Sequence, residues 1–304
     1  MVSRETLTGG VAFELVRRHG LPLLEARRLR RYPWLVHAFT TRWRRQAGEA
    51  SERGSSNEFH LSYRRGIALA VVEENRQRLL ATLSRGCLQL VTLRQLHSDV
   101  IRVVESRPGR GARQLAGDAL VTNQPGLLLA TQVADCLPIL LVDPKQRIVA
   151  NVHAGWYGTL RRISEKTVGV MGMRFACSPA RLLAIIGPGI HRCCYTVGQE
   201  VYERYQGQFA ACAGLFVRDE PSSTQTHWQL PVKPTALPGA AGVFFLDLVE
   251  ANRRQLLAAG LRRRNISAAL LCTRCRNDLF FSHRAEGGGA GRMMGVIGMV
   301  PGHD

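Results

Sequence analysis

The sequence predicts an α/β protein of the α+β kind, a layered sandwich of mixed sheets. Three observations carry that reading. Short apolar runs broken by turn residues cluster between positions 88 and 152, and segments with helical spacing gather after position 158. The two do not alternate in the steady strand–helix order of a doubly wound parallel sheet.

Taken in order, residues 1–31 are mixed and Arg-rich and are read as an N-terminal extension of helical character. One domain is expected over 32–304, opening with the apolar run 34–39. Residues 43–65, with Gly, Ser and Arg throughout, are expected to form a long mobile loop. Ile67, Val71, Leu79 and Leu83 fall near helical spacing and predict an amphipathic helix over 67–83. Strands are expected at 88–93, 100–104, 119–122, 127–132, 139–142 and 148–152. Helices follow at 158–173, 198–209 and 248–259, the last opened by Asp247 with Glu250 three residues on, the pattern of a capping box. A strand at 182–186 separates the first two helices, and 294–300 closes the chain. Residues 221–242, rich in Pro, Ser, Thr and Gly, read as a surface excursion.

With 304 residues the chain can bury a large core. It has no apolar run of the roughly 18 residues a membrane span needs, and its start lacks the basic and apolar regions of a secretion signal. A soluble, cytoplasmic protein is expected, with no membrane partner. The net charge of +18 raises the question of a nucleic-acid partner. Only Lys145, Lys166 and Lys233 are lysines; the rest of the positive charge is arginine, spread along the chain except for a cluster at 27–31. A polyanion partner is therefore not the reading adopted. The eight cysteines lack the density of a secreted disulfide scaffold, so reduced thiols are expected. Cys272 and Cys275 form a CxxC, but a structural zinc site would need a second pair near in sequence, and the adjacent Cys193 and Cys194 have the wrong spacing. The expectation is two partly buried thiols at a strand end.

Three segments place metal-competent side chains at the ends of apolar strands: Gln95-Leu96-His97-Ser98, Ala134-Asp135-Cys136-Leu137-Pro138 and His153-Ala154-Gly155-Trp156. Two neutral imidazoles and a thiolate suit a borderline-soft divalent ion, and three protein ligands leave a fourth position open. Read from residue types alone, each could also be a satisfied core residue.

These segments, together with Gly187-Pro188, Cys193-Cys194-Tyr195, Val197-Gly198, Leu246-Asp247-Leu248, Cys272-Thr273, Phe280-Phe281-Ser282-His283-Arg284 and Gly291-Arg292, resemble the YfiH-like laccase-domain family. The likeness runs from about His37 to Val300 with its motifs in order. It implies a single-domain, four-layer α/β/β/α sandwich with zinc held by His97, Cys136 and His153. It also implies phosphorolysis of adenosine, inosine, guanosine and methylthioadenosine, and deamination of adenosine, so that purine nucleosides and phosphate are the expected partners. Deamination needs a hydroxide, which zinc supplies by lowering the pKa of water to about 7. Phosphorolysis needs a cation to hold phosphate against C1′, a task that suits guanidinium. Arg42, in the matching Thr40-Thr41-Arg42, is the candidate phosphate holder; Asp135 is the candidate proton acceptor or imidazole-orienting carboxylate; Tyr195, Ser282 and Arg284 are candidates for the purine or ribose pocket.

Two positions depart from the family pattern. Tyr157 stands where the motif has arginine, and His60 where it has asparagine. A tyrosine lacks the guanidinium's charge and fork of donors, which puts phosphate positioning by that residue in doubt; His60 is expected to be a solvated loop histidine. Two other chemistries use the same residues. The family's older description is a copper-dependent polyphenol oxidase, but none of the nine histidines forms the His-x-His pairs of a multicopper centre. Alternatively, Cys136 is the nucleophile of a hydrolase, linked in some relatives to peptidoglycan editing.

Overall fold

The computed structural model describes residues 3–5, 12–43, 58–63, 66–84, 87–107, 109, 114–209, 212, 214–218 and 243–302. Two mixed sheets face each other. The first has seven strands in the order β1-β2-β3-β4-β16-β8-β5, where β1 is Ser3–Glu5, β2 Phe13–Arg18, β3 Leu21–Ala26, β4 Leu35–Thr40, β5 Gln89–Thr92, β8 Leu127–Val133 and β16 Met293–Met299. The second has six in the order β15-β11-β9-β10-β7-β6, where β6 is Ile101–Val103, β7 Ala119–Thr122, β9 Leu137–Asp143, β10 Ile148–Ala154, β11 Leu183–Ile186 and β15 Ile266–Ala268. A small third sheet joins β12 (Thr196–Val197), β14 (Phe244–Leu246) and β13 (Phe216–Arg218). Pairing is mostly antiparallel, with parallel pairs β5–β8, β6–β7 and β11–β15.

Strand periodicity builds the layers. On β8, Leu127 and Leu129 enter the core between the sheets, while Leu128 and Ala130 point the other way, into a cluster with Leu79 of α1 (Leu69–Ser84). On β9, Leu140 and Val142 face the first sheet, whereas Ile139 and Leu141 lie beneath α2 (Trp156–Leu160), α3 (Ile163–Phe175), α4 (Gln199–Gln208) and α5 (Leu248–Ala258). The result is the α/β/β/α arrangement expected. Among the described residues no helix is long and apolar enough to cross a membrane.

Most of the predicted elements stand within a residue or two of their expected bounds, and the Asp247 carboxylate accepts the Glu250 backbone N–H at 2.9 Å, as the capping pattern required. The helix expected over 158–173 is two: α2 ends at a reversal where Arg162 takes a left-handed φ of 61° before α3 begins. The 1–31 reading is corrected further. Rather than a helical extension, residues 13–26 are two strands of the main sheet, with Val16, Leu21 and Leu23 fully buried. Their alternation is masked by Glu14, Arg17, Arg18 and Glu25, charges that the fold neutralises internally: Arg18 donates to Glu25 at 2.7 Å and Arg30 to Glu14 at 2.6 Å. Arg28 donates to Asn265 at 2.9 Å, so the basic cluster is drawn onto its own chain. The expected excursion at 221–242 and most of the 43–65 loop lie outside the described residues, but Phe59, His60 and Leu61 are buried. His60 is no solvated histidine; it stacks on Phe281 with ring centroids 5.2 Å apart.

Candidate metal centre and its cavity

Period-two alternation on β10 turns Val149, Asn151 and His153 toward the facing sheet. Asn151 bridges the sheets, donating to Leu129 and Gly295 carbonyls at 2.9 and 2.7 Å and accepting from Thr131 at 2.8 Å. Two residues on, His153 arrives at the rim of the same space. In the adjacent strand Pro138 pairs with His153 and Leu137 with Ala154, which sets Cys136 beside Gly155. His97, on the loop between β5 and β6 with a φ of 55°, completes the group. The three side chains offer their donor atoms within 4.8 Å of one another, and the two imidazole rings stand 4.9 Å apart, nearly perpendicular.

Gly155 is part of this geometry. A Cβ there would sit 2.9 Å from Cys136 Sγ and 3.5 Å from His97 Cδ2. Its φ of −79° is open to any residue, so the constraint is space alone. Gly155→Ala is expected to weaken metal binding roughly 10-fold or more by displacing the thiol, with the circular dichroism spectrum unchanged; metal titration of the two proteins checks this.

A residue that the sequence reading did not single out organises the site. Asp118, fully buried at the start of β7, accepts backbone N–H groups from Leu96 (3.1 Å), His97 (3.0 Å) and Ser98 (2.7 Å) and the Ser98 hydroxyl (2.6 Å). It also lies 2.8 Å from His153 Nδ1. With the Nδ1 proton donated to Asp118, the Nε2 lone pair is left free to ligate a metal ion. The imidazole-orienting carboxylate is thus Asp118, not Asp135. Burial alone would raise the Asp118 pKa, but the His153 and Ser98 hydrogen bonds hold it at about 2. Burial likewise opposes charge on the other two groups and is overcome: beside His153 and His97 the Cys136 thiol falls to about 6, and between the Cys136 thiolate and Asp118 the His153 imidazole rises to about 9.

The group opens into a cavity of about 700 Å³, within the range of small-molecule sites. Its walls carry the aromatic rings of Tyr63, Trp156 and Tyr195 and the cations Arg94, Arg284 and Arg292, with His283 beside them. The Arg284 guanidinium lies 5.2 Å over the Tyr195 ring and donates to the Thr196 carbonyl and hydroxyl. Burial pushes the Tyr195 hydroxyl pKa upward.

Other candidates fall elsewhere. Asp135 lines the cavity with a φ of 86°, but one oxygen accepts the Thr273 hydroxyl and the other the Arg284 backbone N–H, each at 2.6 Å. Arg42 does not line the cavity. Its guanidinium is taken up by Glu58 at 2.7 Å, Glu286 at 3.1 Å and Asn277 at 3.2 Å, over the Phe281 ring. Ser282 is fully buried and caps α6 (His283–Glu286), accepting the Ala285 N–H. Tyr157 also lies off the cavity wall, against Trp156 and Arg161.

Two helix-flanked mixed sheets with a His–Cys–His group at their rim define an α/β/β/α sandwich with a walled pocket at the strand ends. The chain belongs to the family described as multi-copper polyphenol oxidoreductase laccase, which matches residues 36–300. It is 37% identical over 233 residues to the purine nucleoside phosphorylase YlmD of Geobacillus stearothermophilus, covering 75% of this chain and 78% of that one. It is 36% identical over 282 residues to a purine nucleoside phosphorylase of Deinococcus radiodurans, covering 92% and 94%. It is 35% identical over 209 residues to adenosine deaminase RL5 from an unknown prokaryotic organism, covering 67% and 72%. The crystal structure of YlmD from Geobacillus stearothermophilus superposes with a TM-score of 0.71 at 30% identity, covering 98% of each chain.

Proposed function

We propose that this chain is a zinc-dependent enzyme of purine nucleosides, phosphorolysing adenosine, inosine, guanosine and methylthioadenosine and deaminating adenosine. The observation that carries the reading is the His97–Cys136–His153 group opening into a cavity walled by aromatic rings and arginines. The donor set fits zinc: two imidazoles and a thiol already depressed to about 6, with Gly155 keeping the space beside the sulfur clear. When bound, the ion supplies Lewis acidity at the cavity floor.

The chain's own groups do the rest. Asp118 keeps His153 in the tautomer that presents Nε2. Tyr195 and Trp156 offer faces for a flat purine. Arg284 is the cation we assign to phosphate, held in place by Thr196 and by Asp135 at its backbone; as C1′ of the ribose gains positive charge, it keeps the attacking anion close. Asp135, with both oxygens engaged, positions Arg284. Ser282 caps the helix that begins with the lining residues His283 and Arg284. The names borne by the relatives, phosphorylase and adenosine deaminase, support the same substrate class. A copper oxidase reading is less well supported, since only two histidines converge among the described residues.

Incubation of the metal-replete protein with adenosine is expected to give adenine and ribose 1-phosphate with phosphate present and inosine without it. Arg284→Ala is expected to raise the KM for phosphate roughly 10- to 100-fold, with zinc content unchanged. Adenosine left intact under both conditions overturns the reading, and consumption only after copper loading, with visible colour, transfers it to oxidation.

A further inference from the structure

Cys193-Cys194 and Cys272-x-x-Cys275 are far apart in sequence, and the first pair is adjacent, a spacing that does not suggest a metal site. The fold brings them together. Gly189 and Cys272 form a parallel bridge between the turn after β11 and the turn after β15, and Thr273 N–H donates to the Gly189 carbonyl at 3.0 Å. All four sulfurs then lie within 4.8 Å of one another, with Cys275 Sγ 3.6 Å from Cys193 Sγ and 3.4 Å from Cys194 Sγ. The His191 backbone N–H points at Cys272 Sγ at 3.5 Å. Cys194 and Cys272 are buried, Cys193 and Cys275 exposed.

We propose that Cys193, Cys194, Cys272 and Cys275 hold a second metal ion, a single thiophilic divalent cation in a tetrahedral tetrathiolate site, with zinc its occupant. Three features argue for it over other uses of four cysteines. Zinc–sulfur bonds of about 2.3 Å put tetrahedral sulfurs roughly 3.8 Å apart, close to the spacing here. A disulfide would join only two of them at about 2.05 Å, and Cys275 stands nearly equally near two partners, so any one bridge leaves two thiols packed against it. An iron–sulfur cluster would spread its cysteines around a core of several irons, and four sulfurs this close leave no room for one. Closed coordination by four protein sulfurs marks the site as structural. Arg192 and Arg274 adjoin the cysteines in sequence, while Arg276 is paired with Asp278 at 2.8 Å.

The position gives the ion its task. Tyr195 follows Cys194 directly, and Thr273, beside Cys272, donates to Asp135, which in turn holds the Arg284 backbone. The ion would staple together the two loops that carry one wall of the cavity. This reading stands on the cysteines alone and does not depend on the proposed activity.

Metal analysis of the protein purified in reducing buffer decides it. About two zinc equivalents are expected in the wild type, about one in Cys136→Ala and about one in Cys272→Ser. Because Cys272→Ser can fail to fold, cobalt(II) is added to metal-stripped Cys136→Ala as a second measure. Intense sulfur-to-cobalt charge transfer and shielding of the four thiols from maleimide support the site, as does iron found in place of zinc. One equivalent in the wild type and none in Cys136→Ala, with all four thiols alkylated in the folded protein, overturns it. So does a disulfide between any two of them.

Discussion

Cys136→Ala is expected to lose the zinc of the His97–Cys136–His153 group and to reduce nucleoside turnover by more than the 10- to 100-fold typical of removing an outer-shell partner. The argument is geometric and electrostatic at once. Cys136 is the sole sulfur of the group and the source of its negative charge; burial opposes that charge, yet His153 and His97 bring the thiol to about 6. Without it, two imidazoles remain and His153 loses the anion that most raises its pKa, so the variant offers a divalent ion neither charge nor a third donor. Alanine is smaller than cysteine and Gly155 already leaves room, so the fold is expected to survive; thermal unfolding and metal analysis on one preparation separate loss of ion from loss of fold. An alkylatable Cys136 in an active, zinc-free protein would instead favour the nucleophile reading.

Asp118→Asn is the second large effect. The carboxylate accepts from three consecutive backbone N–H groups, a hydroxyl and the His153 ring. An amide of the same shape has one accepting oxygen and turns an NH2 toward donors, leaving buried groups unpaired. A loss of about 2–5 kcal/mol in stability is expected. Metal affinity should fall roughly 10- to 100-fold, because His153 is no longer fixed in its tautomer and the 96–98 loop is no longer tied down. The pH dependence has a definite sign. Since Asp118 titrates at about 2 in the folded chain against an ordinary 3.8, its contribution is fully present above the ordinary value and is lost as pH falls toward 2. The stability gap between wild type and variant should therefore close in acid as pH falls from the ordinary value toward 2, and, because Asp118 also helps raise the His153 imidazole to about 9, narrow again as pH rises through that value; denaturant titrations at several pH values check both.

The sheets were legible wherever burial on both faces made an apolar run, as in β7, β9 and β10. They were not legible in β2 and β3, where Glu14, Arg18 and Glu25 interrupt the pattern and are neutralised only by cross-strand partners. At the site, His97, Cys136 and His153 could be named because residue type at a strand end signals a donor. Asp118 could have been: an acidic residue directly before an apolar strand will be buried there only if donors converge on it. Arg42 and Ser282 stand in the motifs, and a motif does not say which way a side chain points: Arg42 pairs with Glu58 and Glu286, and Ser282 caps α6, away from the cavity lining. The four-cysteine cluster was hidden by sequence distance, since its halves meet through tertiary pairing, the β11–β15 ladder and the Gly189–Cys272 bridge beyond it.

The central claim, that a metal held by His97, Cys136 and His153 serves purine nucleoside chemistry, is tested most directly by following inosine and phosphate with one preparation in three states. The zinc-loaded protein should release hypoxanthine and ribose 1-phosphate, the chelator-stripped protein should be inactive, and readdition of zinc should restore the rate. Intact inosine with the zinc-loaded protein, or equal rates in all three states, would contradict the account.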